Sequence, residues 1–72
     1  MRWPNIAKSI QDGQQALYLA EKFHSEAPQK FGQWLHREQP NLDGMSPWQM
    51  LRLSRGEKLL RVVERQLDEG SL

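Results

Sequence analysis

Two helix-start signals lie only eight residues apart in this sequence, and that short spacing constrains the fold more than any other feature. At the first signal, Ser46 can accept a hydrogen bond as an N-cap, Pro47 fits a helical position that needs no N–H, and Gln49 can complete a capping box. At the second, Ser54 and Glu57 repeat the Ser-x-x-Glu pattern. The spacing therefore predicts a short helix that turns sharply into another helix.

A tight turn is predicted immediately before the first of these helices. Pro40 lacks a backbone N–H and ends whatever precedes it. Asn41, Asp43 and Gly44 are residue types that tolerate a tight turn or a positive φ angle. Leu42 is the apolar residue within this turn, and we expect it to anchor the turn in the core.

The two helices are predicted over residues 47–53 and 56–69, with Gly56 at the turn between them. The second helix carries apolar residues at spacings that place them on one side. These residues are Leu59, Leu60, Val63 and Leu67. Gly70 follows them and predicts the end of the helix.

Residues 4–11 and 13–24 are predicted to form two separate helices, because Asp12 and Gly13 interrupt an otherwise helical pattern. Asp12 begins a cap signal, and glycine inside a helix costs about 1 kcal/mol relative to alanine. One unbroken helix is the alternative. In either case, the apolar residues expected on the buried face are Ile6, Ile10, Leu17 and Ala20.

A further helix is predicted after Ser25 or Ala27, with Pro28 in its first turn. The apolar residues of its buried stripe are Phe31, Trp34 and Leu35. No segment alternates with period two over a useful length, and no hairpin dipeptide is flanked by β-branched runs. The sequence therefore predicts an all-α fold, a single domain over residues 1–72 that forms a compact bundle of four to five short helices.

The composition excludes several classes of protein. A chain of 72 residues buries only about 60% of its unfolded surface, so a stabilising partner or self-association is expected. The absence of cysteine excludes disulfides and thiolate metal sites, and the net charge of +1 gives no electrostatic reason to bind nucleic acid or an anionic membrane. No apolar run resembles a signal peptide or a membrane span, so a cytoplasmic location is expected.

No residue pattern predicts catalysis, a cofactor or a metal centre. His24 and His36 are the only imidazoles and fall on different predicted helices, whereas a zinc site normally needs three or four ligands. Ser46 and Ser54 are better explained as helix caps than as nucleophiles, since each is followed three residues later by Gln or Glu. The chain is therefore not expected to be an enzyme.

DNA binding is an alternative function that the helix pair raises. A short helix, a tight turn and a second helix have the outline of a helix-turn-helix, and Arg52 and Arg55 lie at the turn. The second helix also carries Glu57, Glu64 and Asp68, whose charges repel phosphates. Binding to DNA by this chain alone is therefore not expected, and a structural subunit is a third interpretation.

The helix over residues 47–53 carries more apolar surface than contact with a single core requires. Its apolar residues are Pro47, Trp48, Met50, Leu51 and Leu53. Either the domain surrounds this helix on several sides or part of the helix contacts a partner. Trp48 and Met50 suit a partner interface, because aromatic and methionine side chains are enriched at the centres of interfaces.

The residues around the predicted helix pair follow a distinctive order. It runs Trp34-Leu35, then Pro40-Asn41-Leu42-Asp43-Gly44-Met45-Ser46-Pro47-Trp48-Gln49-Met50-Leu51, then Gly56, Val62-Val63, Leu67 and Gly70. Over residues 23–70 this order resembles the C-terminal toxin-binding domain of the bacterial Xre/MbcA/ParS-type antitoxins. Three features depart from the family pattern: Asp43 stands where Gly is usual, Met45 stands where Arg is usual, and no DNA-binding domain precedes the resemblance.

The resemblance implies a protein-binding module that dimerises and neutralises a RES-type toxin, an NAD-consuming enzyme, by steric occlusion of its active site. It also implies that the end of the final helix, with a short tail released by Gly70, lies near the toxin's active-site cleft. The residues expected to contact a partner are Met45, Trp48, Met50, Arg52, Arg55, Gly70, Ser71 and Leu72. Those expected to form caps and turns are Asn41, Gly44, Ser46, Pro47, Ser54 and Gly56.

Overall fold

Four α-helices form within residues 6–72, the part of the chain that the computed structural model describes. They are α1 (Ile6–Phe23), α2 (Pro28–His36), α3 (Pro47–Arg52) and α4 (Gly56–Glu69), and a 3-10 turn over Pro40–Leu42 joins α2 to α3. The described residues contain an isolated bridge between Gln39 and Met45 and no named strand. The predicted all-α fold is confirmed, although the helix start expected at residue 4 lies outside the described residues.

Helix α1 is continuous, so the prediction of two helices separated near Gly13 is wrong. Gly13 is buried, and a Cβ atom added to it would lie 2.6 Å from Cδ2 of Leu51. The close packing that glycine permits here offsets its low helix propensity, because most helix stability in proteins comes from tertiary contacts.

The buried side of α1 consists of small residues, which include the predicted Ala20, while the predicted Leu17 is partly buried. This side is formed by Ser9, Gly13, Ala16 and Ala20. Ile10, which was expected on this side, is 54% exposed. Because 3.6 residues complete one turn, Ile10 lies about 100° around the helix from Ser9 and faces the flank of the bundle. The side chain of Ile6, which was also expected on this side, lies outside the described residues.

The core lies between α1, α4 and the segment that connects them. Its fully buried apolar residues are Ala16, Ala20, Trp34, Leu42, Met50, Leu59 and Val63. Helices α1 and α4 run in the same direction, since Ser9 and Gly13 contact Gly56 at one end while Leu72 borders Phe23 and His24 at the other. The intervening segment must therefore return the chain to the starting end, and its buried side chains fill the core as it does so.

The loop between α2 and α3 forms the predicted tight turn. Leu42 is fully buried as its anchor, and Asp43 and Gly44 both have positive φ angles, 57° and 78°. Two hydrogen bonds hold the loop against α4. Lys58 Nζ donates to Asp43 Oδ2 at 2.7 Å, and Gln66 Nε2 donates to Gln39 Oε1 at 2.9 Å.

The ends of two helices agree with the sequence prediction. At the start of α3, the Gln49 N–H donates to Ser46 Oγ at 3.2 Å and the Ser46 N–H donates to Gln49 Oε1 at 2.9 Å, which completes the capping box. At the end of α4, Gly70 has a φ of 69°, and the N–H groups of Gly70 and Ser71 donate to earlier carbonyls at 3.1 and 2.8 Å. This is a Schellman motif.

The start of α4 differs from the prediction, because Ser54 is not its cap. Ser54 has a φ of 56°, and Arg55 occupies the N-cap position without a side-chain hydrogen bond. The hydroxyl of Ser9, 47 residues before Gly56, accepts the Gly56 N–H at 3.1 Å and donates to the Ser54 carbonyl at 2.6 Å. A residue of α1 therefore caps α4.

Candidate partner-binding surface

Helix α3 divides its apolar side chains between the core and the surface. Pro47 and Met50 are fully buried, and Leu51 is partly buried against the core, while Trp48 is 45% exposed and Leu53 is 58% exposed. The prediction that Met50 contacts a partner is therefore wrong. Met50 lies three residues after Pro47, and this spacing places both side chains on the side of α3 that faces the core.

Trp48 lies on the opposite side of α3, next to the end of α2. The centre of its ring is 6.2 Å from that of His36, at an interplanar angle of 52°. Arg52 follows Trp48 by four residues, which places it on the same side of the helix, and its side chain is exposed. We call the group of Trp48, Arg52 and His36 the Trp48 surface.

Arg55 takes part in an intramolecular ion cluster. Its Nη1 lies 3.5 Å from Oδ2 of Asp43, the same oxygen that Lys58 contacts. The hydrogen bond from Lys58 lowers the pKa of Asp43, and the charges of Lys58 and Arg55 act in the same direction against a smaller opposing effect of burial. Asp43 thus ties the turn to the start of α4.

The segment after α4 lies against the connection between α1 and α2. Gly70 and Ser71 are exposed, but Leu72 is partly buried and packs against the core, where it borders Phe23 and His24. The sequence predicted a tail released by Gly70. The Schellman motif instead turns the chain back, so that Leu72 covers apolar surface of its own domain.

The exposed members of the predicted partner-binding set form two groups that lie at opposite ends of α4. Arg52 and Arg55 are close to its first residue, Gly56, whereas Gly70 and Ser71 follow its last residue. A helix of 14 residues is about 21 Å long. Met45 belongs to neither group, since it is partly buried and packs against the core beside the Gln39 bridge.

Two apolar regions were missed by the sequence reasoning. One is a groove of about 500 Å³ between α1 and α2, bordered by Tyr18, Pro28 and Phe31. The other is the exposed flank of α1 that contains Ile10. The signal for both was present, since Ile10, Leu17 and Tyr18 cannot all face the core together with the small residues of α1, but sequence spacing alone did not indicate which set is buried.

His24 lies beside this groove, at the end of α1. Its Nε2 atom is buried without a hydrogen-bond partner in the described part of the chain. Burial lowers the pKa of His24, and the positive charges of Lys30 and Arg37 lower it further. Its ring contacts that of Phe23 edge to face, with centres 5.1 Å apart. In this environment the neutral imidazole is favoured.

The described residues show two further features that bear on function. Of the helices within residues 6–72, none combines the length and the apolarity that crossing a membrane requires. Within the same range, no three His, Asp or Glu side chains converge on a position suited to a metal ion. The Trp48 surface combines an indole ring with an exposed arginine, two residue types that are enriched in protein interfaces.

Comparison with known protein families matches residues 19–69 to the antitoxin Xre/MbcA/ParS C-terminal toxin-binding domain. Neither the comparison with individual curated proteins nor the comparison with solved structures gives a match. The matched residues include α2, the turn, α3 and α4, and thus the whole Trp48 surface. Because the match covers more than two thirds of the chain, the protein belongs to the Xre/MbcA/ParS antitoxin family and contains its C-terminal toxin-binding domain.

Proposed function

We propose that this domain neutralises a RES-type toxin, an NAD-consuming enzyme, by binding it and covering its active site. The family match supports a protein-binding role in a toxin–antitoxin system. The observation that carries the proposal is the exposure of Trp48 on a helix whose neighbouring residues Pro47 and Met50 are buried. In this proposal the chain itself performs no chemistry, and inhibition is steric.

Trp48 has the properties of an interface anchor. Tryptophan and arginine are the residue types most enriched among those that dominate binding energy, and Arg52 lies next to Trp48 on α3. His36 packs beside the indole ring, and this contact restricts the ring's position before a partner binds. A side chain that is ordered in advance loses less conformational entropy on binding.

The segment after α4 is the second part of the proposed interface. About 21 Å separates it from the start of α4, so one toxin that contacts both ends of α4 must bury a broad surface. A standard protein interface buries about 800 Å² on each partner, which is sufficient for such a span. Broad coverage of this kind is consistent with occlusion of a cleft and does not require a side chain to reach deep into it.

The substitution Trp48→Ala tests this proposal. It is expected to weaken binding to a RES-type toxin by at least about 2 kcal/mol, or about 30-fold in Kd, measured by calorimetry. Tyr18→Ala is the matched control, because Tyr18 is a 55% exposed aromatic residue of α1 that does not belong to the Trp48 surface. A Trp48→Ala protein with unchanged circular dichroism and melting temperature that binds as tightly as the parent would contradict the proposal.

Deletion of Ser71 and Leu72 separates occlusion from affinity. It is expected to reduce inhibition of NAD consumption by the toxin more than it reduces binding. Equal inhibition by the parent and the deletion variant would remove this segment from the inhibitory contact while leaving the role of Trp48 intact. Because Leu72 packs against the core, the melting temperature of the deletion variant must be measured beside its activity.

We also propose that the chain forms a homodimer at micromolar concentration. The described surface exposes several large apolar side chains besides Trp48: Ile10, Tyr18, Phe23 and Leu53. Sedimentation velocity over a range of concentrations tests this proposal independently of any toxin. A monomer of 8.5 kDa at a few hundred micromolar would contradict it.

A further inference from the structure

We propose that the second copy binds to the flank of α1 next to α3, which we call the α1–α3 face and define as Ile10, Gln14, Leu17 and Leu51. This inference rests on the homodimer proposed above and names its contact surface. It concerns a surface different from the Trp48 surface. Three of its four residues precede residue 19, where the match to the toxin-binding family begins.

The α1–α3 face has a regular helical geometry. Ile10, Gln14 and Leu17 follow one another at spacings of four and three, so their side chains form one stripe along α1. Ile10 is more than half exposed, Gln14 is exposed, and Leu17 and Leu51 are partly buried against the core. The face therefore presents the protruding side chain of Ile10 beside the partly buried side chains of Leu17 and Leu51.

A depression of about 250 Å³ lies within this face. In addition to the four defining residues it is bordered by Ser9, Ser54 and Gly56, and none of these seven residues is ionisable. Covering the part of the depression that these residues line therefore carries no cost of desolvating a charge. Its volume is below the range of about 300–1,000 Å³ that is typical of small-molecule pockets, so a side chain of another protein fits it better than a free ligand does.

A face that contains both a protrusion and a depression can pack against a copy of itself. In a two-fold dimer the same patch is used on both subunits. If the two α1 helices run antiparallel and cross at Gln14, Ile10 of each copy lies opposite Leu17 of the other, beside the depression. Both protrusions are then buried at once.

The charges on α1 support the antiparallel arrangement. Glu21 is exposed and continues the stripe four residues after Leu17. With the crossing at Gln14, Glu21 of each copy lies opposite the first turn of the other copy's α1, which carries the positive end of the helix dipole. The two helix dipoles are also antiparallel.

Cross-linking at the crossing point tests this geometry, since the chain contains no cysteine of its own. Gln14→Cys is expected to form a disulfide-linked dimer under mild oxidation, because a residue on the two-fold axis meets its own copy. Gln15→Cys is the matched control, one residue further along α1. Efficient linkage of the Gln15→Cys chain and none of the Gln14→Cys chain would overturn the proposed crossing.

Substitution of the protruding residue provides the second test. Ile10→Glu is expected to weaken the dimer at least tenfold in sedimentation velocity, since it places a charge in an apolar interface, whereas Gln15→Glu leaves the dimer unchanged. A folded Ile10→Glu protein that remains as dimeric as the parent would show that the dimer uses another face. Loss of toxin binding by Ile10→Glu with an intact dimer would assign the face to the toxin and overturn the proposal.

Toxin capture distinguishes a failure of this inference from a failure of the proposed function. A parent chain that is monomeric but still captures the RES-type toxin overturns the dimer and leaves neutralisation standing. A dimeric parent chain, sensitive to Ile10→Glu, that captures no toxin overturns neutralisation and supports the α1–α3 face.

Discussion

Ser9 joins two helices through a single hydroxyl group. It accepts the N–H of Gly56, one of the groups that a helix start leaves without an intrahelical partner, and it donates to the Ser54 carbonyl. Ser54 itself adopts a left-handed conformation that is unfavourable for residues other than glycine. The hydroxyl of Ser9 thus holds both sides of a turn that the local sequence would not strongly favour.

Ser9→Ala is expected to lower the free energy of unfolding by about 1–3 kcal/mol, because the buried N–H of Gly56 loses its partner. Ser54→Gly is the contrasting variant and is expected to leave stability unchanged or raise it, since glycine tolerates a positive φ angle. Urea denaturation measures both. If Ser9→Ala unfolds at the same urea concentration as the parent, the cross-helix cap contributes nothing.

At the scale of the elements, α1 and α4 can approach closely because Gly56 has no side chain. A Cβ atom added to Gly56 would collide with the Ser9 carbonyl oxygen and would lie 2.8 Å from the Gly13 nitrogen, both of which are backbone atoms of α1. Neither can move by a change of rotamer. The two helices would therefore have to separate, and the Ser9 cap would be lost with them.

Gly56→Ala is accordingly expected to destabilise the domain by at least about 3 kcal/mol, the upper part of the range for overpacked sites. Gly32→Ala is the control within the same fold, since Gly32 lies inside α2 and an added Cβ would meet no described atom within 4 Å beyond its chain neighbours and the backbone of its own helix. It should stabilise the domain by up to about 1 kcal/mol through helix propensity. Similar melting temperatures for the two variants would be inconsistent with the close packing of α1 and α4.

At the scale of the whole molecule, stability is expected to decrease on acidification in two pH ranges. The pKa of His24 lies below its ordinary value of 6.5, so the unfolded chain takes up a proton before the folded chain does. The pKa of Asp43 lies below its ordinary value of 3.8. Its ion cluster therefore stabilises the fold above that value and is lost as the pH falls through the lower folded-state pKa.

Urea unfolding at pH 7.5 and at pH 5.5 isolates the first of these ranges. The parent is expected to be less stable at pH 5.5, and His24→Asn is expected to reduce this difference. The same substitution at the exposed residue His36 is the control. If the His24→Asn variant loses as much stability between pH 7.5 and pH 5.5 as the parent does, the effect belongs to another group.

The sequence by itself determined the elements whose stabilising groups are close together in the chain. The capping box of Ser46 and Gln49, the turn anchored by Leu42 and the stop at Gly70 each depend on hydrogen bonds or conformations within about six residues. The end of α4 followed from such a signal, and so did the all-α class and the family, because the family pattern is largely a series of these local features. The start of α4 at Gly56 was also predicted, but its cap is Ser9 and not Ser54.

Only the tertiary structure decided the features that depend on residues distant in sequence. Gly13 interrupts a helix in isolation but permits one against Leu51 and Gly56. Ser54 does not cap α4, because the Gly56 N–H donates to the hydroxyl of Ser9. Trp48 and Met50 are both apolar and two residues apart, yet the core takes Met50 and leaves Trp48 half exposed. Spacing indicates that a helix has two sides, whereas packing determines which side is buried.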